Sequence, residues 1–493
     1  MKYCGKERGS ITLFLALILS LLLSLVCTSI ESVRMASART QILNSMDIGL
    51  YSVFGQYDRK LLEEYDLFAL DGSMGGGQLN LAKICDNLES YMKPVLKQNS
   101  QKLELHQSGL TGYRLLTDEC GEVFYQQIVQ YMQETLGSQG VQLLLNKMSD
   151  RERKTEEADL KAKQAETGGS IDRYDSEMDQ ASQKSRQAAQ EAENRQQQEG
   201  QISTQPAPTQ PQTDNPISII KRIMKMGILE LVLPPGREIS TRTVNKDTMV
   251  SGRQLQQGME MPDGVTADSS YTSGVLFQQY LMNHLGNYTD PSKESLAYQM
   301  EYIFGGKDSD EDNLKAVASK LLFIREGVNF ACLMADNVKR SEAQALATAI
   351  ASGFLVPPAA VIIEAALILC WAFAESVLDV RELFAGGRIP LVKSSADWQI
   401  SLGNLPDLME GLDSMRRNDE KGMSYKDYLQ VLVLTVSKEK KVMRAMDMIE
   451  NTIREKGRRN FCMDSCIVAL EAFADVKANK KKDFQVIRQY CYE

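Results

Sequence analysis

The sequence predicts a mainly α protein of the α+β kind: an N-terminal transmembrane helix continuing into a stalk, then a helical ectodomain with a small sheet, interrupted by a disordered linker. Three observations carry this. Gly9 to Ile30 contains no charged residue. Arg151 to Gln201 holds only Leu160, Ile171, Tyr174 and Met178 as larger apolar residues, too few to bury a face and offset the entropy of ordering. Elsewhere apolar residues recur three and four apart, as in Val442, Met446, Ile449 and Ile453. The chain of 493 residues therefore divides into a cytoplasmic head (1–8), the anchor (9–30), a stalk and first ectodomain part (31–149), the linker (150–216) and a second, mainly helical ectodomain part (217–493).

A helix over Gly9 to Ile30 is about 33 Å long, enough to cross a hydrocarbon core of about 30 Å. Lys2, Lys6 and Arg8 before it, against Arg34 and Arg39 after it, place the short head in the cytoplasm and the long remainder outside. Three processed forms compete with an uncleaved anchor. A secretory signal peptide would use the small residues Ala36-Ser37-Ala38, but its apolar core would be unusually long. A lipoprotein would be anchored at Cys27, where Val26 is too large for the preceding position. Gly9, after Lys6 and Arg8, resembles the cleavage position of pilin-like precursors, although Phe14 stands where those carry glutamate.

A net charge of −9 and a pI near 5.2 argue against nucleic acid as a partner. Lys480, Lys481 and Lys482 read as a solvated turn. With only His106 and His284 in the chain, histidine triads and zinc sites are nearly excluded. The nine cysteines are scattered rather than framed for disulfides. The pair Cys462 and Cys466 is four apart, placing both thiols on one face of a predicted helix.

Along the chain, Glu31 to Tyr57 continues the anchor as a stalk with a narrow seam of Leu43, Met46, Leu50, Val53 and Tyr57. That seam packs on its own domain or on a partner helix. Tyr65 to Leu70 reads as a short strand, followed by Gly75-Gly76-Gly77, which lacks the Lys and Ser/Thr of a phosphate cradle. Helix is predicted over Leu79 to Met92 and Glu122 to Leu145, with one or two strands over Lys102 to Leu116 between them. The second part opens with the amphipathic Ile217 to Leu233. Helices follow over Val275 to Leu285, Ser295 to Ile303, Asn313 to Phe330, Lys339 to Gly353, Tyr425 to Val436, Val442 to Ile453 and Cys462 to Val476. Phe484 to Tyr492 alternates as a closing strand that would pair with Tyr65 to Leu70. The acidic run Asp308-Ser309-Asp310-Glu311-Asp312-Asn313 imitates a calcium loop, but Asn313 replaces its glycine and Ser319 its bidentate glutamate; it reads as a helix cap. Phe354 to Ala374 is long enough for a second membrane pass. Glu364 in its middle, and Pro357-Pro358 near its start, favour a buried core helix instead.

The segments Arg8 to Phe14 (RGSITLF), Tyr65 to Asp71 (YDLFALD), Tyr298 to Lys307 (YQMEYIFGGK), Glu375 to Arg381 (ESVLDVR) and Gly422 to Leu429 (GMSYKDYL) carry a resemblance. Together they resemble an uncharacterised Firmicutes family, a domain of unknown function encoded beside tight adherence (Tad, or Flp) pilus genes and TadE- or TadG-like pseudopilins. The likeness spans nearly all of the chain except the linker. It implies a single-pass, mostly extracytoplasmic envelope protein and brings no catalytic, cofactor or metal residues with it.

The function expected is a non-enzymatic, membrane-anchored structural or accessory component of a Tad-type pilus or secretion machine, held in the membrane by Gly9 to Ile30 and meeting pilin-like or assembly proteins through the stalk. A ligand-binding envelope protein or adhesin is the alternative. A cell-envelope enzyme would draw its acid/base from Glu301 or from Glu375 and Asp379, four apart on one helical face. Such pairs more often form a solvated or salt-bridged face. The sequence assigns no catalytic residue, cofactor or metal.

Overall fold

A computed structural model describes residues 8–98, 102–165, 216–259, 266–353, 360–405, 422–478 and 482–492, with the single residues 180, 183, 187, 190, 261 and 408. The first elements are α1 (Arg8–Phe54), α2 (Arg59–Tyr65), β1 (Leu70–Asp71), α3 (Leu81–Lys97), β2 (Leu103–Leu115) and α4 (Asp118–Ala165). Then come α5 (Pro216–Met224), α6 (Ile228–Val232), α7 (Tyr271–His284), α8 (Gln299–Gly305), α9 (Asp310–Ala335), α10 (Asn337–Gly353) and α11 (Ala360–Phe384). The chain closes with β3 (Arg388–Ile389), β4 (Met423–Ser424), α12 (Tyr425–Leu434), α13 (Lys438–Glu455), β5 (Cys466–Ala478) and β6 (Lys482–Cys491). The protein is thus mainly helical with a small sheet, as its sequence predicts. Two compact units arise: Met1–Tyr131 with Arg253–Asp268 and Ile453–Glu493, and Met132–Gly252 with Ser269–Thr452.

In the first unit β5 is the central strand. It runs antiparallel to β2 from Leu103↔Ala478 to Leu115↔Ile467, to β6 from Ala469↔Cys491 to Ala478↔Lys482, and to the two residues of β1. Leu470, Ala472, Ala474, Val476 and Ala478 of β5 join one hydrophobic core with α1 and α3. From α1 come Ala38, Ile42, Met46, Leu50, Val53 and Phe54, and from α3 Ile84, Leu88, Met92 and Leu96, spaced to line one side of each helix. The stalk seam therefore faces its own domain. Gly49 makes the approach of the two helices possible: a Cβ there would lie 2.9 Å from both Leu88 Cδ1 and Met92 Cγ.

Two expectations fail in this unit. Cys462 to Val476 is not a helix but a short 3-10 turn (Met463–Ser465) leading into β5. Its Ala, Leu and Glu residues favour helix in isolation, yet Leu470 to Ala478 also alternates. One set is fully buried, and Glu471, Phe473, Asp475 and Lys477 are half-buried on the other face. With hydrogen-bonded neighbours on both edges, tertiary pairing outweighs propensity. Cys462 and Cys466 consequently share no helical face; the Cys466 thiol instead donates to the Cys462 carbonyl at 3.6 Å. The second failure is the strand Tyr65 to Leu70 and its partner. Asp58 caps α2 by accepting from Lys60 and Leu61, which draws Tyr65 into the helix. Only Leu70–Asp71 remains as strand, and it pairs with β5 rather than with Phe484 to Tyr492.

The second unit is built on α11. Nearly every residue from Ala366 to Phe384 is buried, with α9, α10, α5 and α6 packed against it. The helix has the composition of a membrane span, but 78% of its most apolar window lies inside the fold. Glu364 sits at the less buried end, where Arg340 of α10 approaches to 3.8 Å. Phe354 to Ala359, including both prolines of this run, fall outside the described residues. The acidic run before α9 is used internally. Ser309 caps Asp312 N at 3.1 Å, and Asn313 binds both sides of the Lys307 peptide. Asp310, fully buried, accepts from Ala297 N (2.9 Å), Tyr298 N (3.0 Å) and the Ser240 hydroxyl. Of the linker expected over 150–216, residues 150–165 continue α4 and residue 216 opens α5; the remainder, apart from four isolated positions, lies outside the described residues.

Candidate functional site

The spacing that puts Glu375 and Asp379 on one face of α11 is matched on α9 by Arg325 and Asn329, also four apart, and where the two helices pack side by side this second pair meets Asp379. Arg325 donates from Nε (3.0 Å) and Nη2 (2.8 Å) to Asp379 Oδ2, and Asn329 donates to the same oxygen at 2.9 Å. The other guanidinium nitrogen, Nη1, reaches the carbonyls of Pro390 (3.0 Å) and Leu391 (2.7 Å) and the Tyr428 hydroxyl.

Lys393, on the segment after β3, completes the group. Its amine contacts both Glu375 Oε1 and Asp379 Oδ1. The second oxygen of Glu375 accepts from Ile400 N (3.0 Å), and Gln399 N donates to both oxygens, at 3.2 Å to Oε1 and 3.3 Å to Oε2. Trp371 of α11 ties down the same segment by donating to Ile400 O at 2.7 Å, and the Trp398 ring covers Lys393. No side chain among Arg325, Glu375, Asp379 and Lys393 is more than 2% exposed. Burial pushes both carboxyls up. In Asp379 the charges of Lys393 and Arg325 with the Asn329 bond outweigh burial and hold it low, whereas Glu375 remains raised by burial and by Asp379 beside it. The pair is therefore salt-bridged and dry rather than solvated.

Glu301 occupies a different place, on α8. It is wholly buried; Oε1 accepts from Tyr288 N (2.8 Å) and the Tyr425 hydroxyl (2.5 Å), while Oε2 has no partner among the described residues. Burial pushes this carboxyl up to about 7 against the bonds from Tyr425 and Tyr288. The structure does not bring Glu301 into the Glu375 group. Among the described residues no set of three His, Cys, Asp or Glu side chains is arranged to hold a metal.

The two acids of α11 stand out in the sequence, whereas Arg325, Asn329 and Lys393 do not. The one signal for the rest of the group is Arg325 itself, inside an otherwise apolar stretch of α9 where an arginine is rarely buried without a partner.

The remaining candidate surface is α1. Its residues from Ile11 to Ile30 are exposed throughout, Leu21 at 70% and Ile11 at 61%, and none of its most apolar window is buried. An apolar stripe on every side of a helix that the fold leaves bare is what a lipid phase covers. This makes α1 a candidate membrane anchor.

A family model matches residues 207–478, somewhat more than half of the chain, and is described as a family of unknown function. No curated protein and no solved structure matches the chain.

Proposed function

The chain belongs to that family of unknown function, DUF5702, and from this premise we propose that it is a non-enzymatic, membrane-anchored, extracytoplasmic component, structural or accessory, of a Tad/Flp-type pilus or secretion system. The observation that carries the reading is α1, bare and apolar to Ile30 and then held by its own domain from Ala38 onward. A helix used in this way fixes a folded domain at a membrane surface. The resemblance of Arg8 to Phe14 to a pilin-like junction, and of the four later segments to proteins encoded beside Tad pilus genes, supplies the machine. The buried acids fit a structural role: Glu375 and Asp379 are neutralised by Lys393 and Arg325, and Glu301 is enclosed by tyrosines. Because α3 and the sheet cover the stalk seam, neighbours in an assembly would meet the apolar first half of α1.

Two measurements test the reading. Single reporter cysteines placed in 187–201 and in 451–459 of an otherwise cysteine-free chain are treated in intact cells with an impermeant thiol reagent. Both are expected to react; labelling only after lysis overturns the extracytoplasmic placement. In vivo crosslinking from positions in Ile11 to Leu25 is expected to capture Tad pilins or assembly proteins. Capture unchanged after removal of the pilus genes overturns the assignment to that machine.

A further inference from the structure

We propose that Lys393 and Glu375 condense within the folded protein into an isopeptide bond, with Asp379 acting as the acid/base that relays the proton. The inference concerns the second unit's own covalent structure and holds whatever machine the protein serves.

Amide formation between side chains needs an amine against a carboxyl carbon, a dry enclosure, a neighbouring group to carry the amine's proton, and donors for the oxygen that becomes an oxyanion. All four are present. The Lys393 amine touches Glu375 Oε1, so Nζ stands beside Cδ. The side chains of Lys393, Glu375 and Asp379 are each 2% exposed or less, and Trp398 closes over the amine. In such an enclosure an ammonium and a carboxylate gain by passing a proton between them and becoming amine and acid. Asp379 Oδ1 contacts the same amine and is placed to take its second proton. The backbone N–H of Ile400 donates to Glu375 Oε2 at 3.0 Å, where the tetrahedral oxygen would develop its charge, and the N–H of Gln399 is shared between Oε2 (3.3 Å) and Oε1 (3.2 Å).

The surroundings also decide which carboxyl is attacked. Asp379 Oδ2 carries three donors from Arg325 and Asn329, which hold it as a carboxylate and a poor electrophile, while Oδ1 remains against the Lys393 amine to receive its proton. Apart from Lys393, the donors to Glu375 among the described residues are backbone N–H groups, so Glu375 is the group able to become the neutral acid.

The step balances without a co-reactant. Glu375 takes a proton from the Lys393 ammonium to give amine and carboxylic acid. Nζ then bonds to Cδ, and the Nζ proton passes through Asp379 to the departing hydroxyl. The Cδ–OH bond breaks, and one water leaves with Asp379 restored. Before the step two positive and two negative side chains are buried together; afterwards Arg325 and Asp379 remain as a neutral pair. No charge is stranded.

The test is peptide mass spectrometry on the full-length protein, purified in detergent, denatured and digested with trypsin. The expected product is residues 341–381 joined to 389–416, uncut after Lys393, lighter than the two peptides together by one water, with fragments placing the link at Glu375 and Lys393. The wild-type chain is the deciding sample, so the folding of variants is not at issue. Cleavage after Lys393 with both peptides at full mass overturns the proposal, leaving a salt-bridge cluster. A link at Asp379 overturns the assignment of roles. Lys393→Arg is expected to abolish the branched peptide; Asp379→Asn is expected to abolish or slow it at least tenfold, and linkage at the wild-type rate overturns the relay.

Discussion

Glu326 of α9 shows what one buried acid does to stability. It is 8% exposed, its Oε1 has no partner among the described residues, and burial pushes its carboxyl from 4.5 up to about 7. The folded state therefore binds the proton more tightly than the unfolded chain. The stability contributed is complete below the unfolded value near 4.5 and is lost as pH rises through about 7. Each tenfold gain in proton affinity is worth about 1.4 kcal/mol, so the loss approaches roughly 3 kcal/mol. Glu326→Gln, which keeps the shape and cannot ionise, is expected to leave the melting temperature unchanged near about pH 4 and to raise it near about pH 8. Thermal unfolding at the two pH values checks this, and an equal change at both would contradict it. Arg325 lies at the opposite extreme, every donor used. Arg325→Met leaves Lys393 as the one cation among the described residues between Glu375 and Asp379 and takes a donor from two carbonyls and the Tyr428 hydroxyl, and is expected to cost about 3–5 kcal/mol in urea unfolding. Arg325→Lys restores the charge but not the fork of donors, so it is expected to recover only part of that loss.

At the scale of elements, the hold of α3 on α1 rests on a few large side chains. Leu88 is 1% exposed and stands against Gly49, so Leu88→Ala is expected to cost about 2–5 kcal/mol, whereas Ile48→Ala, on the open side of α1, stays within about 0.5 kcal/mol. Differential scanning calorimetry of the two variants compares them directly. The same scale shows what was legible in the sequence. Helices such as α3, α9 and α13 announce themselves because one side of each is apolar over several turns, and Val442, Met446, Ile449 and Ile453 are all buried. β5 was hidden because its inward residues are mostly alanine, which carries little hydrophobic contrast and the highest helix propensity. Its strand character comes from β2 and β6, residues that lie far apart in the chain. The buried charge cluster was half visible: Glu375 and Asp379 share a helix, but Arg325 stands 54 residues before Asp379 and Lys393 on an irregular segment. No spacing rule links such positions.

For the molecule as a whole, the division of α1 makes a sharp prediction. Every residue from Ile11 to Arg34 is exposed, and the first to enter the core is Ala38. Removing residues 1–33 is therefore expected to give a protein that is soluble without detergent and melts within a degree or two of the full chain, since surface changes away from the core alter stability by no more than about 0.5 kcal/mol. Removing residues 1–54 takes six residues out of the core and is expected to unfold the first unit. Circular dichroism and size-exclusion chromatography of both truncations decide it.

The unbroken course of α1 also has a mechanical meaning. From Arg8 to Ser37 it has no proline and no glycine apart from Gly9, so some 45 Å of stiff rod, at about 1.5 Å per residue, leads into the grip of α3 and the sheet. A tug on the far end along the rod meets no slack to take up. It loads the side chains from Ala38 to Phe54 against α3 in shear, many contacts resisting at once instead of parting one after another. A twist of the rod about its long axis is delivered to the sheet in the same way, turn for turn.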